Sequence, residues 1–227
     1  EAGFLGPLRI LEGEQGFFQA LCPGGDPHDV LAASAQEWLI HDVSFKPWPA
    51  CRHAHAVIDA ALELKPLLQE AQVSSIEVRT YSDALKFCDQ PTPKTVIEAK
   101  FSLQHAVAVV LARGAPALSD FEVQAIEDPA LTQLRQKVQV ASDPSFDQVY
   151  PANFGAEIRA DGHTVRVPDA LGDPENPVSE AQIQAKAAML LEAGGIAEPE
   201  GTALIEQVMT ADETCSSLLE RLKEGLA

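Results

Sequence analysis

Two spacings of apolar residues divide this chain into a helical start, a mixed middle and a helical end. At the start, Gly13-Glu14-Gln15-Gly16 and Pro23-Gly24-Gly25-Asp26-Pro27 enclose the apolar patch Phe17 to Leu21, a pattern of short helices joined by tight loops over residues 1–37. Trp38 to Phe45 reads as an extended strand. From His53 the residues Val57, Ile58, Ala61, Leu62, Leu64 and Leu68 recur at helical spacing and predict a helix that ends before Val73. The period then changes to two: Ile76, Val78 and Thr80 alternate with Glu77 and Arg79, which predicts a half-buried strand over Ser74 to Tyr81.

Beyond the loop marked by Pro91 and Pro93, Phe101 to Ala112 is almost wholly apolar. The run Ala106 to Leu111 leaves no polar face, so this helix must be buried. Ser119-Asp120-Phe121-Glu122 has capping-box spacing and predicts a short helix after it. Val138 to Ala141 predicts a strand. Phe154 to Arg159 and His163 to Val167 flank Asp161-Gly162, a dipeptide suited to a two-residue hairpin turn. Ser179-Glu180-Ala181-Gln182 is a second capping box, with helix expected to about Glu192. Amphipathic helices at about Glu200 to Met209 and Glu213 to Leu226 finish the chain, striped by Leu204, Ile205 and Val208, then Leu218, Leu219 and Leu222. The fold class predicted is α+β.

Composition narrows the function. The chain has 227 residues, 46% of them hydrophobic, enough for a sizeable core. No apolar run approaches the roughly 18 residues of a membrane span, and Glu1-Ala2-Gly3-Phe4 lacks the basic and apolar parts of a signal peptide. An opening on glutamate is read as a trimmed chain or part of a longer one. With a net charge of -18 and only 16 Lys and Arg, nucleic acid is not an expected partner. Cys22, Cys51, Cys88 and Cys215 form no CxxC pair, so no zinc or dithiol motif is encoded, and a reduced, cytoplasmic protein is the simplest reading. No metal or cofactor is expected.

Against that acidic background, Phe45-Lys46-Pro47-Trp48-Pro49-Ala50-Cys51-Arg52-His53-Ala54-His55 stands out. Lysine, arginine, two histidines and a cysteine fall within ten residues, and no carboxylate interrupts Val43 to Ile58. A cationic island in an acidic chain predicts a small-anion site. The prolines flanking Trp48 stiffen it, because each fixes its own φ and biases the preceding residue toward extended backbone.

The run from Lys46 to His55 resembles the MmgE/PrpD family. So do Gly6-Pro7 through Ile10-Leu11-Glu12-Gly13 with Gly16-Phe17, Ala99-Lys100-Phe101-Ser102-Leu103 ahead of an apolar helix, and Gly172-Asp173-Pro174-Glu175-Asn176-Pro177. Four segments in the same order are more specific than one. The resemblance implies a large helical domain plus an α+β lid, homodimers, and cofactor-independent chemistry on small polycarboxylates. The family includes 2-methylcitrate dehydratase, cis-aconitate decarboxylase and an iminodisuccinate epimerase. It covers essentially this whole chain but about the second half of a family member. Residues 1–41 would end the helical domain, 42–196 would form the lid, and 197–227 would return to the helical domain. The N-terminal half, in the same or a separate chain, would complete the pocket.

Lys46 matches the family's active-site lysine. Its ammonium can pair with a substrate carboxylate or stabilise an enolate-like charge, and the plain alternative is an ordinary exposed lysine. His55 is a candidate for proton transfer or a structural hydrogen-bonding group. Arg52 can bind a carboxylate through two parallel N–H bonds or form a salt bridge. Cys51, at a position where the decarboxylase branch carries histidine, is a substrate-contact candidate or a buried inert thiol. His105 stands where relatives commonly place a tyrosine, and is either a proton donor or a satisfied core histidine. His28, His41 and His163 receive no role.

The leading expectation is the C-terminal part of a 2-methylcitrate-dehydratase-like enzyme that abstracts an α-proton and expels water. An epimerase of an iminodisuccinate-like dicarboxylate needs nearly the same groups. A different class of reading makes the chain a non-catalytic subunit or truncated assembly module, and by itself it is expected to have negligible activity.

Overall fold

A computed structural model of the chain describes residues 9–14, 16–21, 43–68 and 73–210. The chain divides into two compact units between His41 and Asp42. In the first unit, helix α1 (Phe17–Leu21) follows a turn in which the Phe17 N–H donates to the Ile10 carbonyl at 2.7 Å. The remaining expectations for residues 1–42, and the helix expected at Glu213 to Leu226, fall outside the described residues.

The second unit is built on a four-stranded sheet of order β2-β1-β3-β4, formed by β1 (Ile76–Thr80), β2 (Val138–Ser142), β3 (Ala156–Ala160) and β4 (His163–Val167). Strand β1 runs parallel to β2, with Ile76 opposite Val138, and antiparallel to β3, with Ile76 opposite Ala160. The alternation read in the sequence is the burial pattern observed: Ile76, Val78 and Thr80 are buried, whereas Glu77 and Arg79 are half-buried. The β3–β4 hairpin turns at Asp161 and Gly162, whose φ values of 48° and 81° are both positive, as a two-residue hairpin turn of this hand requires.

A parallel β1–β2 pair needs a long crossover. This one carries α3 (Ser82–Cys88), α4 (Val96–Lys100), α5 (Leu103–Arg113), α6 (Val123–Ile126) and α7 (Pro129–Arg135). Helix α2 (His55–Leu64), entered through a 3₁₀ turn at Arg52–Ala54, lies on β3 and β4 and packs against α5, which also contacts α7 and β2. Residues Leu103 to Leu111 are all buried, as the absence of a polar face predicts. The α+β class holds.

Two local expectations change. Val43 to Phe45 form no strand, because the Phe45 N–H donates to the Gly172 carbonyl at 2.8 Å rather than joining a ladder. Ser119 caps nothing. It sits inside a 3₁₀ turn at Leu118–Phe121, and the Asp120 carboxylate, held by Arg113 at 2.7 Å, accepts the Ala117 N–H at 2.9 Å. The short helix α6 does follow. At the other box, Ser179 and Gln182 cap each other reciprocally, and α9 (Glu180–Ala193) begins there, after the short α8 (Pro144–Asp147). Helix α10 (Glu198–Met209) packs on α9. Among the described residues, no helix is long and apolar enough to cross a membrane.

Candidate functional site

Three of the sequence segments that carry the resemblance meet in the second unit. The Cys51 N–H donates to the Lys100 carbonyl at 2.8 Å, tying the cationic segment to the end of α4. On its other side the segment is clamped to the Gly172–Pro177 loop. Ser44 Oγ donates to Asp173 at 2.6 Å, and the Arg52 guanidinium pairs with the same carboxylate. Gly172 takes a φ of +96°, and a Cβ there would stand 2.3 Å from the Phe45 carbonyl oxygen, so this contact requires glycine.

Asp59 on α2 completes the frame. Its carboxylate accepts the Trp48 indole N–H at 2.7 Å and the Leu171 backbone N–H at 2.7 Å, joining both loops to the helix. Burial raises the Asp59 pKa above the ordinary carboxylate value, while these two donors pull against that shift. Fixed φ at Pro47 and Pro49 and the anchored Trp48 ring leave the Lys46 to Cys51 backbone little freedom.

The framed segment forms one wall of a cleft of about 410 Å³. Lys46, Lys100 and Lys186 line it together with Cys51, Trp48, Phe101 and Met189, and among the described residues no carboxylate lines it. Lys186, on α9, donates to the Lys46 carbonyl, and burial followed by the neighbouring Lys46 lowers its pKa. In a protein of net charge -18 this is a concentrated positive site. At an effective dielectric of ~20, one ammonium about 4 Å from a carboxylate attracts it by roughly 4 kcal/mol before desolvation. An apolar groove of about 440 Å³ between α9 and α10 is lined by residues such as Ile183, Leu191 and Ile205 and offers no charged side chain.

Cys51 is the partly exposed thiol of this wall. A hydrogen bond with Cys88, the backbone N–H groups of His53 and Arg52, and the charge of Lys46 lower its pKa to about 6, against the opposing effect of burial. Cys88, fully buried, is pushed upward by the same contact and by burial.

The other expected site residues lie elsewhere. His55 is fully buried; Arg52 Nη1 stands 3.2 Å from its Nδ1, and its Nε2 is 3.4 Å from the Ala50 carbonyl. The arginine can only donate, so Nδ1 is the acceptor and Nε2 carries the proton. Burial, then the Arg52 charge, lowers the His55 pKa from 6.5 to about 3, and the ring is neutral. Arg52 itself is committed to Asp173, His55 and the carbonyls of Phe45 and Leu171. His105 is also fully buried, between Arg135 at 2.9 Å and the Asp120 carbonyl at 2.7 Å, packed edge-on against Phe121. Burial lowers its pKa too. Neither histidine lines the cleft.

Lys46 and Cys51 are thus brought together, joined by two lysines to which the sequence reading assigned no charge role. Lys186 was visible in principle: it falls three residues after Ile183 and four before Leu190, a lysine on the apolar stripe of α9. Lys100 falls within the Ala99–Leu103 segment that carries the resemblance, but nothing in its neighbours marks its ammonium for the site. Among the described residues, no group of three or more His, Cys, Asp or Glu side chains is placed to hold a metal ion.

Residues 48–211 match the model of the MmgE/PrpD C-terminal domain. Cis-aconitate decarboxylase of Mus musculus is 27% identical over 162 residues, 65% of this chain and 33% of that enzyme. The mitochondrial 2-methylcitrate dehydratase of Yarrowia lipolytica is 28% identical over 51% of the chain and 24% of its own length, and the Escherichia coli K12 2-methylcitrate dehydratase 25% identical over 50% and 25%. The aligned part is therefore a third or less of each of these relatives, and Lys46 lies just ahead of the span that the family model matches. With most of its length matched to that one domain, the chain belongs to the MmgE/PrpD family.

Proposed function

We propose that this chain supplies the cationic substrate-binding wall of a 2-methylcitrate-dehydratase-like enzyme, which removes an α-proton from a small polycarboxylate and expels water. The observation that carries the reading is the cleft lined by Lys46, Lys100 and Lys186, with no carboxylate lining it among the described residues. Several ammonium groups lining one cleft suit a ligand with several carboxylates, and they also stabilise the enolate-like charge that develops when the α-proton leaves.

The same lining limits the chain's share of the chemistry. Among the described residues it contains no histidine and no carboxylate, which supports a base supplied by the N-terminal helical half, in the same or a separate chain. The chain alone binds the acid and does not turn it over. That keeps the assembly-module reading alive for the isolated chain on a specific observation, the burial of both His55 and His105 away from the cleft.

In the complete enzyme, Lys46→Ala should lower kcat by about 10²–10³, the usual effect of removing one charge-stabilising donor. Unchanged kinetics would take Lys46 out of the site. Product analysis separates the chemistries: an unsaturated acid retaining every carboxylate marks the hydro-lyase, release of CO₂ marks a decarboxylase, and deuterium uptake at carbon without loss of water marks an epimerase.

A further inference from the structure

We propose that Cys51 and Cys88 form a thiol pair that closes to an intramolecular disulfide by exchange with small anionic disulfides drawn into the lysine-lined cleft. The two cysteines belong to separate elements that pack together, Cys51 at the entry to the 3₁₀ turn before α2 and Cys88 at the last residue of α3, and Cys51 packs against the core cluster that contains Cys88. Their exposures differ in the way exchange requires. Cys51 lines the cleft, whereas Cys88 is completely buried behind it in the core. An accessible thiolate next to a sheltered second thiol is the arrangement of an attacking and a resolving cysteine.

The chemistry balances without a further reagent. The Cys51 thiolate attacks one sulfur of the small disulfide; that S–S bond breaks, and one small thiolate leaves and takes up a proton. A mixed disulfide on Cys51 then removes the negative charge that helps hold Cys88 protonated. Cys88 loses its proton and attacks the Cys51 sulfur, expelling the second small thiolate. The cysteine pair is oxidised by two electrons and the small disulfide is reduced by two. Lys46, Lys100 and Lys186 make the encounter charge-selective, since they stand in the cleft through which Cys51 is reached.

The inference uses the geometry of the cleft and holds whether or not the enzyme is a dehydratase. Its test uses the chain with Cys22→Ser and Cys215→Ser, so that only the pair can react. Oxidised glutathione, a net anion, and cystamine, a cation, are compared near neutral pH by intact-mass spectrometry and thiol labelling. With oxidised glutathione the chain should lose two hydrogens, both thiols should stop labelling, and no glutathione should remain attached. Adding Cys88→Ser should leave one glutathione on Cys51, and adding Cys51→Ser should leave the protein unmodified. Cystamine should react about tenfold more slowly at low ionic strength, with the gap closing in salt. A persistent glutathione adduct with Cys88 still open to labelling after denaturation, or no reaction at Cys51, would overturn the pair; equal rates with both reagents would overturn the role of the lysines.

Discussion

At the scale of single residues, two positions decide whether the cationic segment keeps its shape. Gly172 presses against the Phe45 carbonyl with positive φ, so Gly172→Ala combines a backbone penalty with a steric one. The substitution should destabilise the fold by roughly 1–3 kcal/mol, read from the urea midpoint. An unshifted midpoint would mean that the loop relaxes freely. His55 makes a prediction about pH. Its folded pKa of about 3 lies below the ordinary 6.5, so as pH falls through that window the unfolded chain takes up a proton before the folded one does. Stability therefore rises with pH between about 3 and 6.5, and is lost as the medium is acidified. His105, lowered by burial as well, adds in the same direction. His55→Asn, which removes one titrating ring, should flatten the slope of unfolding free energy against pH over this range; an identical slope would show that His55 does not carry the linkage. The identity of these residues was legible in the sequence, and their burial was not. A histidine beside a cysteine and an arginine at a helix start looks the same in one dimension whether it faces a ligand or a carbonyl.

At the scale of elements, the site is assembled by contacts between segments far apart in the chain. The Arg52–Asp173 pair spans 121 positions, and the side chains are only 16% and 7% exposed. Removing one partner alone, as in Arg52→Met or Asp173→Asn, should cost about 3–5 kcal/mol because it strands a buried charge. The double substitution should cost less than the sum of the two, and additive effects in chemical unfolding would deny the pair its coupling. Long, strongly periodic elements were the readable ones. Helix α5, strand β1, the Asp161-Gly162 hairpin and the Ser179 cap all follow from local pattern, since apolar period and turn chemistry act over a few residues. The short helices α3, α4, α7 and α8 did not stand out, although three of them start at side-chain caps, Thr95, Asp128 and Asp143. They are too short to show a period and gain their stability from tertiary packing. The parallel pairing of β1 with β2 was hidden as well, because register between distant strands is a tertiary choice.

At the scale of the whole molecule, an acidic protein concentrates three lysines around one cleft, with walls drawn from the cationic segment, the end of α4 and the middle of α9. The sequence announced one wall through Lys46 to His55. The other two depend on how α4 and α9 pack, which brings Lys100 and Lys186 to the cleft only in three dimensions. The aligned part is a third or less of each relative's length. The measurement closest to the central claim is isothermal titration of this chain with citrate, a saturated tricarboxylate that cannot be dehydrated without the missing base, at low and high salt. The account predicts saturable binding, one ligand per chain, weakened at least about tenfold by Lys46→Ala or Lys186→Ala and by added salt. Binding that ignores these lysines, or no heat beyond dilution at millimolar citrate, would contradict it.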